Sequence, residues 1–454
     1  MVLVVLFLLT ACYMVNSEPK RAAAVTTENT WTSKASLPDG VSIVKVAVVN
    51  GKIYVMTGST NYEYDPATDN WTTKAPMPTP RTPSFGVAVY QNKIYVMGGQ
   101  DSTLYTRGYY FLSTNEVYDP LTDTWETKAP MPTSRDGAEA NVVNGKIYVI
   151  SGKTYASDDS HHSNDTNVNE VYDPATDAWT TKQPAPIAVE RYASTVVDNK
   201  IYIMGGTSDQ INDNSLQWVS NQIYDVENDT WSLGASLPTY TYNAAAGATT
   251  GLMAPKKIYV MGGGFTTTSN TVLVYDLTLD NWSFGAPMPI NRSCLAVAVV
   301  NDVMYAMGGT LNYQGTFPVG SFPLTNVVEQ YIPFGYGTVL PAVQVVSLEN
   351  NVAYSGADVS LIFTLNKAAS WMAYSLDGQD NITVTGNVTL AGLSDGLHNV
   401  TVYAEDSLGN MGASETIVFN VASPFPTVPV AVVSGASAIA IAAGLLIYFK
   451  KRKY

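Results

Sequence analysis

The stretch NKIYVMGG (residues 92–99), followed 18 residues after its second glycine by VYDPLTDTWETKAPMPTSR (residues 117–135), decides how the rest of the chain is read. IYVM alternates its side chains between two faces of a strand, so Ile94 and Val96 share one face and Tyr95 and Met97 the other. The glycine pair behind it permits backbone conformations closed to other residues and lets a neighbouring chain approach. Val117 and Tyr118 end a further strand. Asp119-Pro120-Leu121-Thr122-Asp123 is then a turn, with Asp at the first position, Pro pre-setting φ at the second, and Asx-type capping behind it. Trp125 opens the next strand, which runs out into APMP.

This unit recurs. NGKIYVISG precedes VYDPATDAWTTKQPAP, NKIYIMGG precedes IYDVENDTWSLGASLP, and KKIYVMGG precedes VYDLTLDNWSFGAPMP; worn copies stand at both ends, as GKIYVMTG with EYDPATDNWTTKAPMP and as DVMYAMGG. Self-similarity at about 50 residues marks a repeat architecture. Four short antiparallel strands per unit, with glycine and aromatic marks at fixed places, make one blade of a β-propeller. The glycine pair, the Tyr-Asp and the tryptophan about six residues later resemble the kelch repeat, over residues 27–335. Gly58 and Gly152 stand where that pattern has a pair, and the last unit lacks its tryptophan.

The missing tryptophan sets the blade count. Trp31, Trp71, Trp125, Trp179, Trp231 and Trp282 alternate with six glycine marks at Gly58, Gly98-Gly99, Gly152, Gly205-Gly206, Gly262-Gly263 and Gly308-Gly309. The series opens on a tryptophan with no glycine mark before it and closes on Gly309 and Tyr331 with no tryptophan after them. The two ends are expected to complete one blade, giving six, with the strand around Trp31 outermost in the last; closure of this kind removes a sheet edge.

The 454 residues leave room for more. Across residues 336–340 the composition changes, and residues 341–422 show short alternating segments (VSLIFTL, WMAYSL, HNVTVYAED, ETIVFNV) separated by turn signals. They read as a small β-sandwich with Trp371 in its core, and they resemble the immunoglobulin-like or fibronectin-III-like modules of prokaryotic, especially archaeal, surface proteins. Residues 423–429 are a second linker. VAVVSGASAIAIAAGLLIYF (430–449) has no charge over 20 residues, long enough for a membrane-spanning helix, and the basic tail 450–454 places the C-terminus in the cytoplasm. At the other end residues 1–17 read as a signal peptide; LTAC, ending at Cys12, also resembles a lipoprotein cleavage box. The expected fold is thus all-β: a six-bladed kelch-type propeller, a small sandwich and a single transmembrane helix.

Composition narrows the function. A net charge of −14 argues against nucleic acid. Two cysteines are too few for a disulfide framework, and Cys294 in the apolar run SCLAVAVV reads as a buried, unreactive thiol. Adjacent His161 and His162 in one polar insertion specify no metal geometry, so neither a metal nor a cofactor is expected. Asn70, Asn164, Asn228, Asn281, Asn291, Asn381, Asn387 and Asn399 each precede x-Ser/Thr and are candidate glycosylation sites of an exported chain.

The remaining constellation is an arginine ahead of the first strand in several units: Arg81, Arg135, Arg191 and Arg292, with Tyr242 in the corresponding stretch of another. Read as equivalent positions, they converge on one mouth of the central channel and form a cationic arc for an anionic ligand; read structurally, they tie blades together. The expectation is a membrane-anchored cell-surface binding or adhesion protein, its propeller recognising an extracellular protein or glycan. The alternatives are a carbohydrate-active enzyme, since kelch-like propellers include sialic-acid mutarotases and Glu190 would supply a carboxylate, or a structural component of the cell envelope. Copper-oxidase chemistry of the galactose-oxidase kind is excluded by the lack of two well-separated histidines in the repeats.

Overall fold

The structure, a computed structural model, describes residues 27–39, 45–82, 84–101, 110–155, 163–208, 217–264, 267–311 and 323–422. The signal peptide (1–17), Cys12, the linker 423–429, the apolar stretch 430–449, the basic tail and both histidines of the polar insertion lie outside these. Among the described residues no helix is long and apolar enough to cross a membrane. The chain divides into two compact units, up to Val339 and from Leu340.

Among the described residues the first unit contains six four-stranded antiparallel sheets. Sheet 2 is typical: Gly86–Tyr90, Lys93–Met97, Asn115–Asp119 and Thr124–Lys128, in that order from the innermost strand outward. Sheets 1, 3, 4 and 5 repeat it, starting at Lys45–Val49, Glu139–Val143, Ala193–Val197 and Ala245–Ala248. Sheet 6 joins the two ends of the unit. Thr30–Lys34 pairs antiparallel with Val328–Ile332, setting Trp31 opposite Tyr331, and Ala296–Val300 is its innermost strand. The innermost strands neighbour one another in the cycle 1-2-3-4-5-6-1.

Both faces of each sheet are buried, because each faces a different neighbour. In sheet 2, Ile94 and Val96 pack with Tyr54 and Met56 of sheet 1, while Tyr95 and Met97 pack with Ile147 and Val149 of sheet 3. The glycine marks stand where sheets come closest. At Gly98 φ is +71°, and a Cβ there would lie 2.6 Å from the Arg135 carbonyl of the next sheet.

A clasp repeats at the rim. The Trp125 indole N–H donates to Ala75 O of the preceding sheet at 3.0 Å, and its ring lies 5.1 Å from that of Tyr118. The Tyr118 hydroxyl donates to Asp123 Oδ1 at 2.6 Å, and the same oxygen accepts from Ala75 N at 2.8 Å. Asp123, the last residue of the turn, is left-handed at φ 56°. Asp69, Asp177, Asp229 and Asp280 repeat the arrangement. In sheet 6 the neutral Asn29 replaces the aspartate, accepting from Tyr331 and from Ala286 N.

In the second unit, a sheet ordered Ala353–Ser355, Ile417–Ala422, Gly396–Glu405, Trp371–Leu376, Ile382–Val384 accompanies two short ladders, Val343–Val345 with Phe363–Leu365 and Val359–Leu361 with Val388–Leu390. Their shared core holds Leu361, Phe363, Tyr374, Val400, Val402 and Phe419. Trp371 is not in it. It stands half-buried at a strand end with its indole N–H on Thr383 Oγ1, and phenylalanines fill the interior instead. His398 is buried against Phe419, its ring nitrogens engaged by Asp377 and the Ser394 carbonyl.

Candidate functional site

The five residues expected together at one mouth separate into two groups. Arg81, Arg135 and Arg292 are fully buried. Each reaches across its own sheet to a glutamate on the third strand: Arg81 to Glu116, Arg135 Nη2 to Glu170 Oε2 at 2.7 Å, and Arg292 Nη2 to Glu329 Oε2 at 2.6 Å. Nη1 of each also donates to backbone carbonyls, Gly98 O for Arg81, Ser151 O and Val168 O for Arg135, Gly308 O and Val327 O for Arg292. With side chains 0% exposed these guanidinium groups are out of a ligand's reach, and the three tie strands and loops together. No cationic arc forms.

Arg191 differs because it occupies another repeat position. Gly99, Gly152, Gly206 and Gly263 donate to the lead-in of the next sheet, and the acceptors are Arg135 O, Val189 O, Thr241 O and Arg292 O. Val189 and Thr241 are therefore the counterparts of the buried arginines, and Arg191 lies two residues further on. It belongs to a different ladder: Gly137 N donates to Ser84 O, Arg191 N to Gly137 O, Asn243 N to Arg191 O, and Cys294 N to Asn243 O, at 2.8–3.1 Å. These successive links join sheets 2 to 6 around the hub. Gly137, Arg191, Asn243 and Cys294 all have φ between 52° and 69°. The left-handed backbone is rare outside glycine and asparagine, and here one hydrogen-bonded ladder imposes it on an arginine and a cysteine.

Above the ladder lies a cavity of ≈ 180 Å³ whose polar lining includes Lys45, Ser84, Glu139, Asn141, Arg191, Ser194, Asn243 and Cys294. Lys45 is paired with Glu139, and Asn141 with Ser194 at 3.1 Å. Arg191 Nη1 donates to the Tyr242 hydroxyl at 3.0 Å, its Nε is 3.7 Å from Glu190 Oε2, and Nε makes no hydrogen bond. The Arg191 side chain is 37% exposed, against 0% for the three buried arginines. Beside it Asp136 and Glu190 are buried, each with one carboxylate oxygen lacking a hydrogen-bond partner. Burial pushes the Asp136 carboxyl up to about 6, with Glu190 adding to the shift and Arg191 opposing it. Burial also pushes the Cys294 thiol up, which keeps it protonated and unreactive. Among the described residues no group of three or more His, Cys, Asp or Glu is placed to hold a metal.

Residues 86–309 match the family model for the KLHDC2/KLHL20/DRC7 Kelch-repeats domain. The fold is of the kelch type. The chain is 33% identical over 236 residues to Kelch-like protein terF of Aspergillus terreus (49% of this chain, 48% of the relative) and 30% identical over 259 residues to Kelch-like protein 25 of Xenopus tropicalis (56% and 41%). It is 29% identical over 233 residues to Beta-scruin of Limulus polyphemus (48% and 24%). The chain thus spans less than half the length of each. A solved structure described as "Structure of YjhT" superposes with a TM-score of 0.54 at 18% identity, covering 64% of this chain and 95% of that one, a likeness of fold alone.

The hub residues were missed in part. Arg191 and Tyr242 stand out in the sequence and Glu190 enters it as a possible carboxylate, whereas Lys45, Asn141, Ser194 and Asn243 do not stand out. Their signal was the frame of the repeat, which variable spacing between arginine and strand obscured.

Proposed function

We propose that the protein is a membrane-anchored cell-surface binding protein. In this reading the six sheets are the blades of a closed propeller that serves as recognition head, the second unit is an immunoglobulin-like or fibronectin-III-like sandwich, and residues 430–449 anchor both outside the membrane. Kelch-repeat proteins commonly mediate protein–protein interaction, which supports binding as the role of the head. One observation carries the choice of site: Arg191 is the hub arginine whose side chain is part exposed and lines a polar cavity.

The ligand, an extracellular protein or glycan, is expected to offer a carboxylate to that guanidinium, whose planar fork suits two-point contact. The test uses the full chain on arrays of sialylated and uronic-acid glycans and of acidic peptides, with Arg191→Lys alongside. The expected result is binding that Arg191→Lys weakens about 5- to 100-fold, in line with loss of a charge-assisted contact worth roughly 1–3 kcal/mol. Equal binding by both proteins would remove Arg191 from the site. Treatment of intact cells with an impermeant protease tests the anchor: the propeller should be lost and the basic tail retained.

A further inference from the structure

Among the described residues nothing pairs with the outer side of the six outermost strands, and these edges are not alike. In sheets 6, 1, 2 and 3 the strand reads WTSK, WTTK, WETK and WTTK, ending on Lys34, Lys74, Lys128 and Lys182. In sheets 4 and 5 the same register holds WSLG and WSFG: Gly234 and Gly285 replace the lysine, and Leu233 and Phe284 replace the preceding serine or threonine. Leu233 is 65% exposed and Phe284 60%. A lysine on an edge strand discourages pairing with another chain; an apolar, lysine-free edge invites it. Sheets 4 and 5 have lost that protection together.

Both carry something else in its place. Asn228-Asp229-Thr230 and Asn281-Trp282-Ser283 are Asn-x-Ser/Thr sequences at the head of these two strands, with the asparagine and the hydroxyl residue of each exposed. At about 3.3 Å per residue, Asn281 lies roughly 10 Å along the strand from Phe284, within the reach of a short glycan, and Asn228 stands in the turn two residues before the strand that holds Leu233. Sheets 2 and 3 keep the lysine and have no such sequence on the outer strand. Sheet 1 has both, at Asn70 and Lys74. The sequence at Asn291 is of another kind: Arg292 is buried in its ion pair, and Ser293 is buried with its hydroxyl 2.8 Å from Thr310 Oγ1.

We infer that Asn228 and Asn281 carry N-linked glycans, which cover the lysine-free rim of sheets 4 and 5 and take over the role of the missing edge lysines. A glycan is bulky, solubilising and confined to the surface, so it blocks strand addition while leaving the hub open. This rests on the proposed export of the chain.

The test is peptide mass mapping of the full-length chain recovered from its own cells, together with the impermeant-protease treatment. The expected result is a glycan mass on the peptides containing Asn228 and Asn281 and none on that containing Asn291. Removing both sites by Asn228→Gln with Asn281→Gln should convert a monomeric chain into self-associating species, while Asn291→Gln should not. A protease-accessible chain unmodified at both sites overturns the inference and leaves the proposed function standing; a protease-protected chain overturns both. Glycans present, with no association once they are removed, would overturn the edge-protecting role.

Discussion

Sheets 3 and 4 stand side by side, are built from nearly the same residues, and use their arginines for opposite purposes. In sheet 3, Arg135 is sealed between Glu170 and two carbonyls. In sheet 4 the glutamate is replaced by Gln222, which needs no counter-charge and instead accepts from Ile187 N and donates to Ile187 O. With no buried acid to answer, the sheet 4 arginine stands two positions later, at the hub. The pairing holds through the repeats: Glu116, Glu170 and Glu329 occur where Arg81, Arg135 and Arg292 do, while the arginine-free sheets 1 and 5 carry Tyr62 and Leu273 at the glutamate position. A buried charge is tolerated only where its partner is supplied.

The largest expected effect comes from breaking that rule. Arg135→Leu leaves Glu170 buried and unpaired and should destabilise the propeller by about 3–5 kcal/mol, whereas Arg191→Leu should cost less, because Lys153 stays 3.3 Å from Glu190 and the Arg191 side chain is part exposed. Replacing Arg135 and Glu170 together by leucines should recover much of the loss. Chemical denaturation of the four proteins checks this; equal losses for Arg135 and Arg191 would erase the distinction between the sheets.

The hub also holds a charge at a cost. Asp136 is buried beside Glu190, and its folded-state value near 6 lies above the ordinary carboxyl range. A raised value means that protonation favours the fold: its contribution is fully present below the unfolded value near 4 and is lost as pH rises through about 6. Asp136→Asn should therefore stabilise the protein by up to about 3 kcal/mol at pH 7, and the gain should fade to nothing by about pH 4. A pH series of melting temperatures for both proteins would show it, and a gain independent of pH would place the effect elsewhere.

The repeat fold was legible because it is written in redundancy. Six tryptophans and six glycine marks fix sheet order and the joining of the two ends without any help from loop length. Trp31 opposite Tyr331 was foreseeable for that reason. The site was less legible because it depends on one residue in each repeat, and insertion lengths differ. Arg191 also precedes a first strand, as Arg135 does, yet it stands five residues after Pro186 where Arg135 stands three after Pro132, and the backbone ladder places it with Gly137 and Asn243. The glutamates of NEVYD and VEQYI, against glutamine in NQIYD, already separated Arg191 from the others; that signal was on the page of the sequence. Trp371 misled for a different reason: size favours burial, but an indole at a strand end can satisfy its N–H on a threonine hydroxyl and stay at the surface.

The smallest expected effect concerns the rim clasps, where sheets 3 and 6 make the comparison. Asp177 accepts from the Tyr172 hydroxyl and from Ala129 N, and the tyrosine hydrogen bond holds its carboxyl below the usual range. Asn29 makes the equivalent pair of contacts in sheet 6 without a charge. Both residue types tolerate the left-handed backbone found at each position. Asp177→Asn should thus cost no more than about 1 kcal/mol at pH 7, the difference between a charge-assisted and a neutral hydrogen bond, while Asp177→Ala, which leaves Tyr172 and Ala129 without an acceptor, should cost about 1–3 kcal/mol. Because the Asp177 value is depressed, its contribution is present above the unfolded value near 4 and disappears as pH falls through the folded one. The small deficit of Asp177→Asn should therefore close on acidification below about pH 4. A deficit that persists in acid would mean that the clasp depends on shape and not on the carboxylate, and that sheet 6, with Asn29, has given up nothing.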